Sequence, residues 1–265
     1  MSRKKGADLA GKGCIFCGGE TPATTWEHCP PVTLFRDKQR PSGYVFPACA
    51  RCNNGSSQQD QIVAVFAMST AEAFKRGTAD RYWVRRLRGV ANNARLALDY
   101  VDFNGGRAVI DKRGMVDLYE LDTDSRFFSE WLNPWAAKLG CALYFEHSGE
   151  VIKRDQSITV RWQTDPRQMQ DAYGEAIVNG LPSYKPVKQG SRDFSDQFSY
   201  RFAVNTNEQI GAFFVILQDF VSVLITVAPL SVAARYSHIV HYGESFSPDP
   251  IEGLKPRVML PLANL

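Results

Sequence analysis

Residues 14–60 read CIFCGGETPATTWEHCPPVTLFRDKQRPSGYVFPACARCNNGSSQQD. Two C-x2-C pairs, Cys14 with Cys17 and Cys49 with Cys52, frame a Glu-His dipeptide, Glu27-His28, and Asn53 and Asn54 follow the last cysteine. A C-x2-C pair sits on a tight knuckle that aims both sulfurs at one point, so two such pairs close a tetrahedral zinc site. Gly18 and Gly19 follow the first pair, and the second runs into Asn53, Asn54 and Gly55. Buried thiols or a redox pair are the other uses of such cysteines, but two pairs in tandem favour zinc. The metal does no chemistry itself; it fixes the loops around it.

The order C-x2-C, E-H-x-P-P, P-x-C-x2-C-N-N resembles the zinc-containing HNH endonuclease family. The resemblance implies a ββα-metal core, a β-hairpin followed by a helix around a catalytic ion. It further implies His28 as general base, Glu27 as a ligand of a catalytic Mg²⁺ or Mn²⁺, and Asn53, or Asn54, as a second ligand. An imidazole that titrates near neutrality takes a proton from water at working pH. Carboxylate and amide oxygens are the hard donors such an ion prefers, and the ion would hold the scissile phosphate. Many members carry a middle asparagine that orients the histidine. Here the matching stretch is Arg40-Pro41-Ser42-Gly43-Tyr44, so that role falls to Ser42, a backbone carbonyl or nothing. Asp60 reads as a solvated helix residue or, alternatively, as an outer-shell or ligand carboxylate.

Local signals set the expected elements. Residues 24–28 favour a strand that Pro30 and Pro31 stop, 32–43 read as a polar loop with Arg36, Lys38 and Arg40, and 44–46 as the returning strand. A helix is expected from about Asn53 through Ile62, Val63, Phe66 and Ala67. Residues 80–100 read as an amphipathic helix with Asp80 as N-cap and Gly89 as a weak point. Arg81, Arg85, Arg88, Asn92 and Arg95 recur on one side of it, Trp83, Leu87 and Val90 on another. Arg81, Arg85 and Arg88 are therefore candidate phosphate contacts, the alternative being an ordinary solvated face.

Beyond residue 100 the texture changes to short strands and turns. The expected organisation is a flexible basic tail over 1–13, a zinc-knuckled module over 14–75, a basic helix over 76–100 and an α+β unit over 101–265. A hairpin is expected over 107–121 and a helix over 124–139, kinked at Pro134 and ended by Gly140. Strands are expected at 141–146, 158–162, 198–204, 212–217 and 220–227 in a mainly antiparallel sheet, with a helix from Asp165-Pro166 to about Val178. Trp131 and Trp135 read as core residues, and His238 and His241 as surface or packing residues of a strand.

With 44% hydrophobic residues in a chain of 265, a proper core is available. The run GAFFVILQDFVSVLITVAPLSVAA, 211–234, has Asp219 near its middle, where an ionised carboxylate costs about 3 kcal/mol in a membrane. Two buried strands about Gln218-Asp219 explain it better. No apolar run follows the basic start, so no secretory signal is expected, and six cysteines then fit a reducing, cytoplasmic setting with Cys29 and Cys141 free. Residues 1–100 carry 15 Lys and Arg against 8 Asp and Glu, whereas 101–265 carry 16 against 20. That polarity suits a polyanionic partner for the first part. There is no P-loop and no dinucleotide fingerprint.

The expectation is thus a cytoplasmic HNH-type endonuclease that hydrolyses DNA phosphodiesters with one divalent ion and binds nucleic acid. Its C-terminal unit would select the target, bind a protein partner or form a homodimer. Two other classes compete with it: a catalytically decayed, zinc-ordered nucleic-acid-binding module, and a zinc-ordered scaffold for protein contacts.

Overall fold

A computed structural model describes residues 9–74, 89, 128–163, 179–219, 221–233, 244–249 and 253–257. Strand β1 (Thr25–His28) pairs antiparallel with β2 (Val45–Ala48), placing Glu27 opposite Phe46 and His28 opposite Val45. Helices α1 (Ala50–Asn54) and α2 (Ser57–Phe74) follow directly. The strand, strand, helix order that the resemblance implies and the local signals favour is present.

The connection between β1 and β2 differs from the polar loop read in the sequence. It contains single 3-10 turns at Val32–Leu34 and Arg36–Lys38, and Leu34 and Phe35 are fully buried. The Phe35 ring meets Phe194 and Phe198 edge-on at 5.4 and 6.4 Å, and the Arg36 backbone N–H donates to Gln197 Oε1 at 2.7 Å. Two apolar residues among charged neighbours were enough to dock the loop.

Seven antiparallel strands form the main sheet, in the order β11-β10-β3-β9-β8-β7-β4. They are β3 (Gln156–Gln163), β4 (Ser183–Tyr184), β7 (Phe198–Asn205), β8 (Ile210–Leu217), β9 (Val221–Pro229), β10 (Glu244–Asp249) and β11 (Gly253–Arg257). A separate ribbon pairs β5 (Lys188–Gln189) with β6 (Arg192–Asp193). The long apolar run becomes β8, β9 and the short helix α4 (Leu230–Ala233), with Val221, Val223, Ile225 and Val227 buried at alternate positions of β9. Its turn holds Gln218 and Asp219 in the left-handed region, at φ 52° and 64°. Buried Gln218 is fixed there by its Nε2, which donates to the Leu34 carbonyl at 2.9 Å. Among the described residues, no helix is long and apolar enough to cross a membrane.

Helix α3 (Asn133–Ser148) corrects the sequence reading most. Residues 141–146 are helical and not a strand, and Gly140 lies inside the helix and does not end it. A short apolar run suits a buried helix as well as a strand, and periodicity alone cannot separate them. Pro134 sits in the first turn, where its missing N–H costs nothing, after a π-helical turn at Phe128–Leu132. Gly149 ends the helix at φ 73°, its N–H on the Phe145 carbonyl at 2.9 Å.

Every residue from Trp135 to Tyr144 is buried, because α3 is covered on both sides. One stripe faces the sheet. A Cβ on Gly140 would lie 2.7 Å from Ile225 Cγ2 and 3.3 Å from Ile158 Cγ2, and Trp162 Nε1 donates to Asn133 Oδ1 at 3.0 Å. The opposite stripe faces the N-terminal module, with the Lys138 ammonium 5.2 Å from the Phe16 ring centre and Phe145 against Phe46 at 6.3 Å. One continuous buried cluster runs through both.

The expected hairpin over 107–121, the helices over 80–100 (apart from Gly89, which is helical) and 165–178, and His238 and His241 lie outside the described residues, as do Arg81, Arg85 and Arg88. Gly140→Val should lower the urea midpoint by the equivalent of about 1–3 kcal/mol, since overpacking at the helix–sheet contact outweighs the helix propensity gained. An unchanged midpoint would mean that α3 does not approach the sheet this closely.

Candidate functional site

The first knuckle is a single turn, Ile15–Cys17, closed by the Gly19 N–H on the Cys14 carbonyl at 2.9 Å. Gly18 and Gly19 take φ of 78° and 81°, a region L side chains avoid. In the second knuckle Cys49 caps α1, its Sγ accepting from the Cys52 N–H at 3.4 Å. The four Sγ atoms lie within 4.8 Å of one another. Tetrahedral zinc needs sulfurs about 3.8 Å apart, from Zn–S bonds of about 2.3 Å. Hydrogen bonds from Cys14 and then Cys52 draw the Cys17 thiol down to about 2, while the bond to Cys17 pushes Cys14 up to about 12. Neighbouring thiols stabilise one thiolate; four thiolates together would need a cation to balance them. The donor set fits zinc. Cys29 and Cys141 are free and buried, and burial pushes both thiols up, the reverse of a reactive cysteine.

Next to the knuckles lies a second cluster of polar groups. Strand alternation puts Glu27 on the inward face with Thr25 and His28 on the other face with Trp26. Glu27 is only 5% exposed, and His28 is half-buried at the strand end. The Glu27 Oε1 atom pairs with Lys138 Nζ at 3.2 Å, and Oε2 has no hydrogen-bond partner. Lys138 Nζ also donates to the Cys52 carbonyl at 3.1 Å and to Ser56 Oγ at 2.5 Å. Burial drives the Glu27 carboxyl up to about 7 against the pull of Lys138, and burial likewise lifts Asp60 to about 6, with Lys138, Trp135 and Ser56 opposing. Asn53 spends its Nδ2 on Thr25 Oγ1 at 3.0 Å and the Trp26 carbonyl at 3.4 Å, clasping α1 to the hairpin, whereas Asn54 is exposed.

The structure thus brings Glu27 and Asn53 onto one face of the hairpin and turns His28 away from them. Asp60, read as solvated, is instead partly buried in the same charged cluster. Lys138 and Ser56 were not singled out from sequence. A signal was present: Lys138 is the one charge in WAAKLGCALYF, and a lysine in a buried stretch needs a partner. Among the described residues, the four cysteines are the one cluster of His, Cys, Asp or Glu with metal-ligand spacing. A divalent ion at Glu27 would stand against the fixed ammonium, so the residues as arranged fit zinc at the knuckles and do not fit a catalytic ion beside them.

No family model, curated protein or solved structure matches the chain.

Two outcomes are expected. Elemental analysis should find one zinc per chain, held less tightly as pH falls because protons compete for the thiolates, and Cys49→Ser should lose the metal and unfold the module. Lys138→Met should destabilise the fold by about 3–5 kcal/mol, the loss of one partner of a buried pair, and adding Glu27→Gln should restore most of it. Additive losses in that double-mutant cycle would show that the two residues are not coupled.

Proposed function

We propose that the chain is a nucleic-acid-binding protein, with DNA as its partner, built on a zinc-ordered scaffold of the HNH kind and not acting through a divalent ion. The observation that carries this reading is the four-sulfur cluster clasping a hairpin and a helix while Lys138 occupies the Glu27 carboxylate. The basic balance of residues 1–100 supports a polyanionic partner. On the described surface Lys12 lies over the Trp26 ring at 5.2 Å, on the hairpin face that also carries His28. A positive charge beside an aromatic ring suits a nucleic-acid strand.

A second reading is favoured by one observation: Glu27 and His28 end β1 while Asn53, near the end of α1, is bonded to that same strand. It makes the chain an HNH-type endonuclease cleaving DNA with Mg²⁺ or Mn²⁺, with His28 as base and Glu27 and Asn53 or Asn54 as ligands. Glu27 would then have to leave Lys138.

Gel-shift titrations over a range of salt, together with plasmid incubations in Mg²⁺ or Mn²⁺, test both. The expected result is salt-dependent binding without nicking. Replacing Arg81, Arg85 and Arg88 together by Ala should flatten the salt slope by up to about three counterions' worth. Nicking that His28→Ala reduces by about 10²- to 10⁴-fold would establish the endonuclease instead.

A further inference from the structure

We propose that the Lys138 ammonium is the resident cation of an oxygen cage beside the zinc knuckles, standing where the HNH resemblance calls for a divalent ion. The cage gathers donors from three separate elements. Glu27 Oε1 comes from β1 at 3.2 Å, the Cys52 carbonyl from α1 at 3.1 Å, and Ser56 Oγ from the turn between α1 and α2 at 2.5 Å. The Asp60 carboxylate, hydrogen-bonded with Trp135 and Ser56, adds a second negative charge next to them. A carboxylate pair, a carbonyl and a hydroxyl are the hard oxygens that bind a hard cation.

The count of hydrogen bonds makes Lys138 a fixture of this cage. An ammonium has three N–H donors, and here it meets three acceptors. With its residue 4% exposed and its backbone in a helix covered on both sides, it does not exchange with solvent as a bound metal would. The cage is therefore charged from within, and the only ion the module needs is zinc. This inference rests on the geometry of the cage and is independent of whether the chain binds DNA.

The test is a Mn²⁺ titration of the zinc-loaded full-length protein, read by the loss of the free Mn²⁺ resonance signal. Mn²⁺ is a weak competitor for thiolate sites and leaves the zinc in place. The parent should show no Mn²⁺ binding that Glu27→Gln removes. Lys138→Ala should open the cage and take up one Mn²⁺ per chain at least tenfold more tightly than the parent, and Lys138→Ala/Glu27→Gln should lose that gain. A parent that binds one Mn²⁺ through Glu27 overturns the proposal, and that measurement needs no folded variant. A folded Lys138→Ala that binds no Mn²⁺ also overturns it. Failure to shift DNA would sink the functional reading above while leaving the Mn²⁺ result as it stands.

Discussion

A single ammonium in a dry helix constrains most of this structure. Removing a charge from water costs several kcal/mol after relaxation, and the loss is recovered only when every donor finds an acceptor. Lys138 finds its three on β1, α1 and the turn before α2, so those elements and α3 must reach their places together. The zinc knuckles enter the same constraint through Cys52. Its sulfur belongs to the four-sulfur cluster, and its carbonyl accepts from Lys138. Zinc held at the four sulfurs would steady the backbone that satisfies the ammonium, and losing the ammonium would leave Glu27 uncompensated.

The other side of α3 is held by shape. Gly140 lets the helix approach Ile225 and Ile158 more closely than any side chain would permit. At its C-terminal end the His147 ring stacks on Phe202 at 3.6 Å between centroids, and His147 Nε2 and the Tyr200 hydroxyl share a hydrogen bond of 2.9 Å. Tyr200 in turn meets the Tyr44 hydroxyl at 3.1 Å, next to the start of β2. Hairpin, helix and sheet are thus joined by one polar chain through the core. Burial, and then Lys185, hold the His147 pKa below its ordinary value. Because the folded value is depressed, the unfolded chain binds the proton more readily, and this residue's contribution favours the fold above the ordinary histidine range and fades as pH drops through it.

What the sequence disclosed follows from the range of each signal. Cys14, Cys17, Cys49 and Cys52 carry their geometry in local spacing, and their convergence was readable. So were β7, β8 and β9, whose alternating or continuous apolar residues leave little choice. Helix α3 was readable as far as Leu139 but not beyond, because CALYF fits a strand or a buried helix equally and only the sheet on one side and the module on the other decide. The burial of Leu34 and Phe35 depends on Phe194, Phe198 and Gln218, which lie far along the chain. Asp60 looked solvated because its surroundings, Lys138 and Trp135, are supplied by a later helix. At the site, the resemblance implied that Glu27, His28 and Asn53 share a hairpin and helix, but not which face each takes.

That distinction separates scaffold from chemistry. A divalent ion in such a module would be exchangeable and would keep coordination positions open for a phosphate oxygen. An ammonium whose three N–H groups are already spent keeps none. Under the proposed reading, a nucleic-acid strand is therefore met on the outer face of the hairpin, where Lys12, Trp26 and His28 lie, and not at the buried carboxylate. The residue that makes the difference is 86 positions from its Cys52 acceptor, beyond any motif that could be drawn around the cysteines.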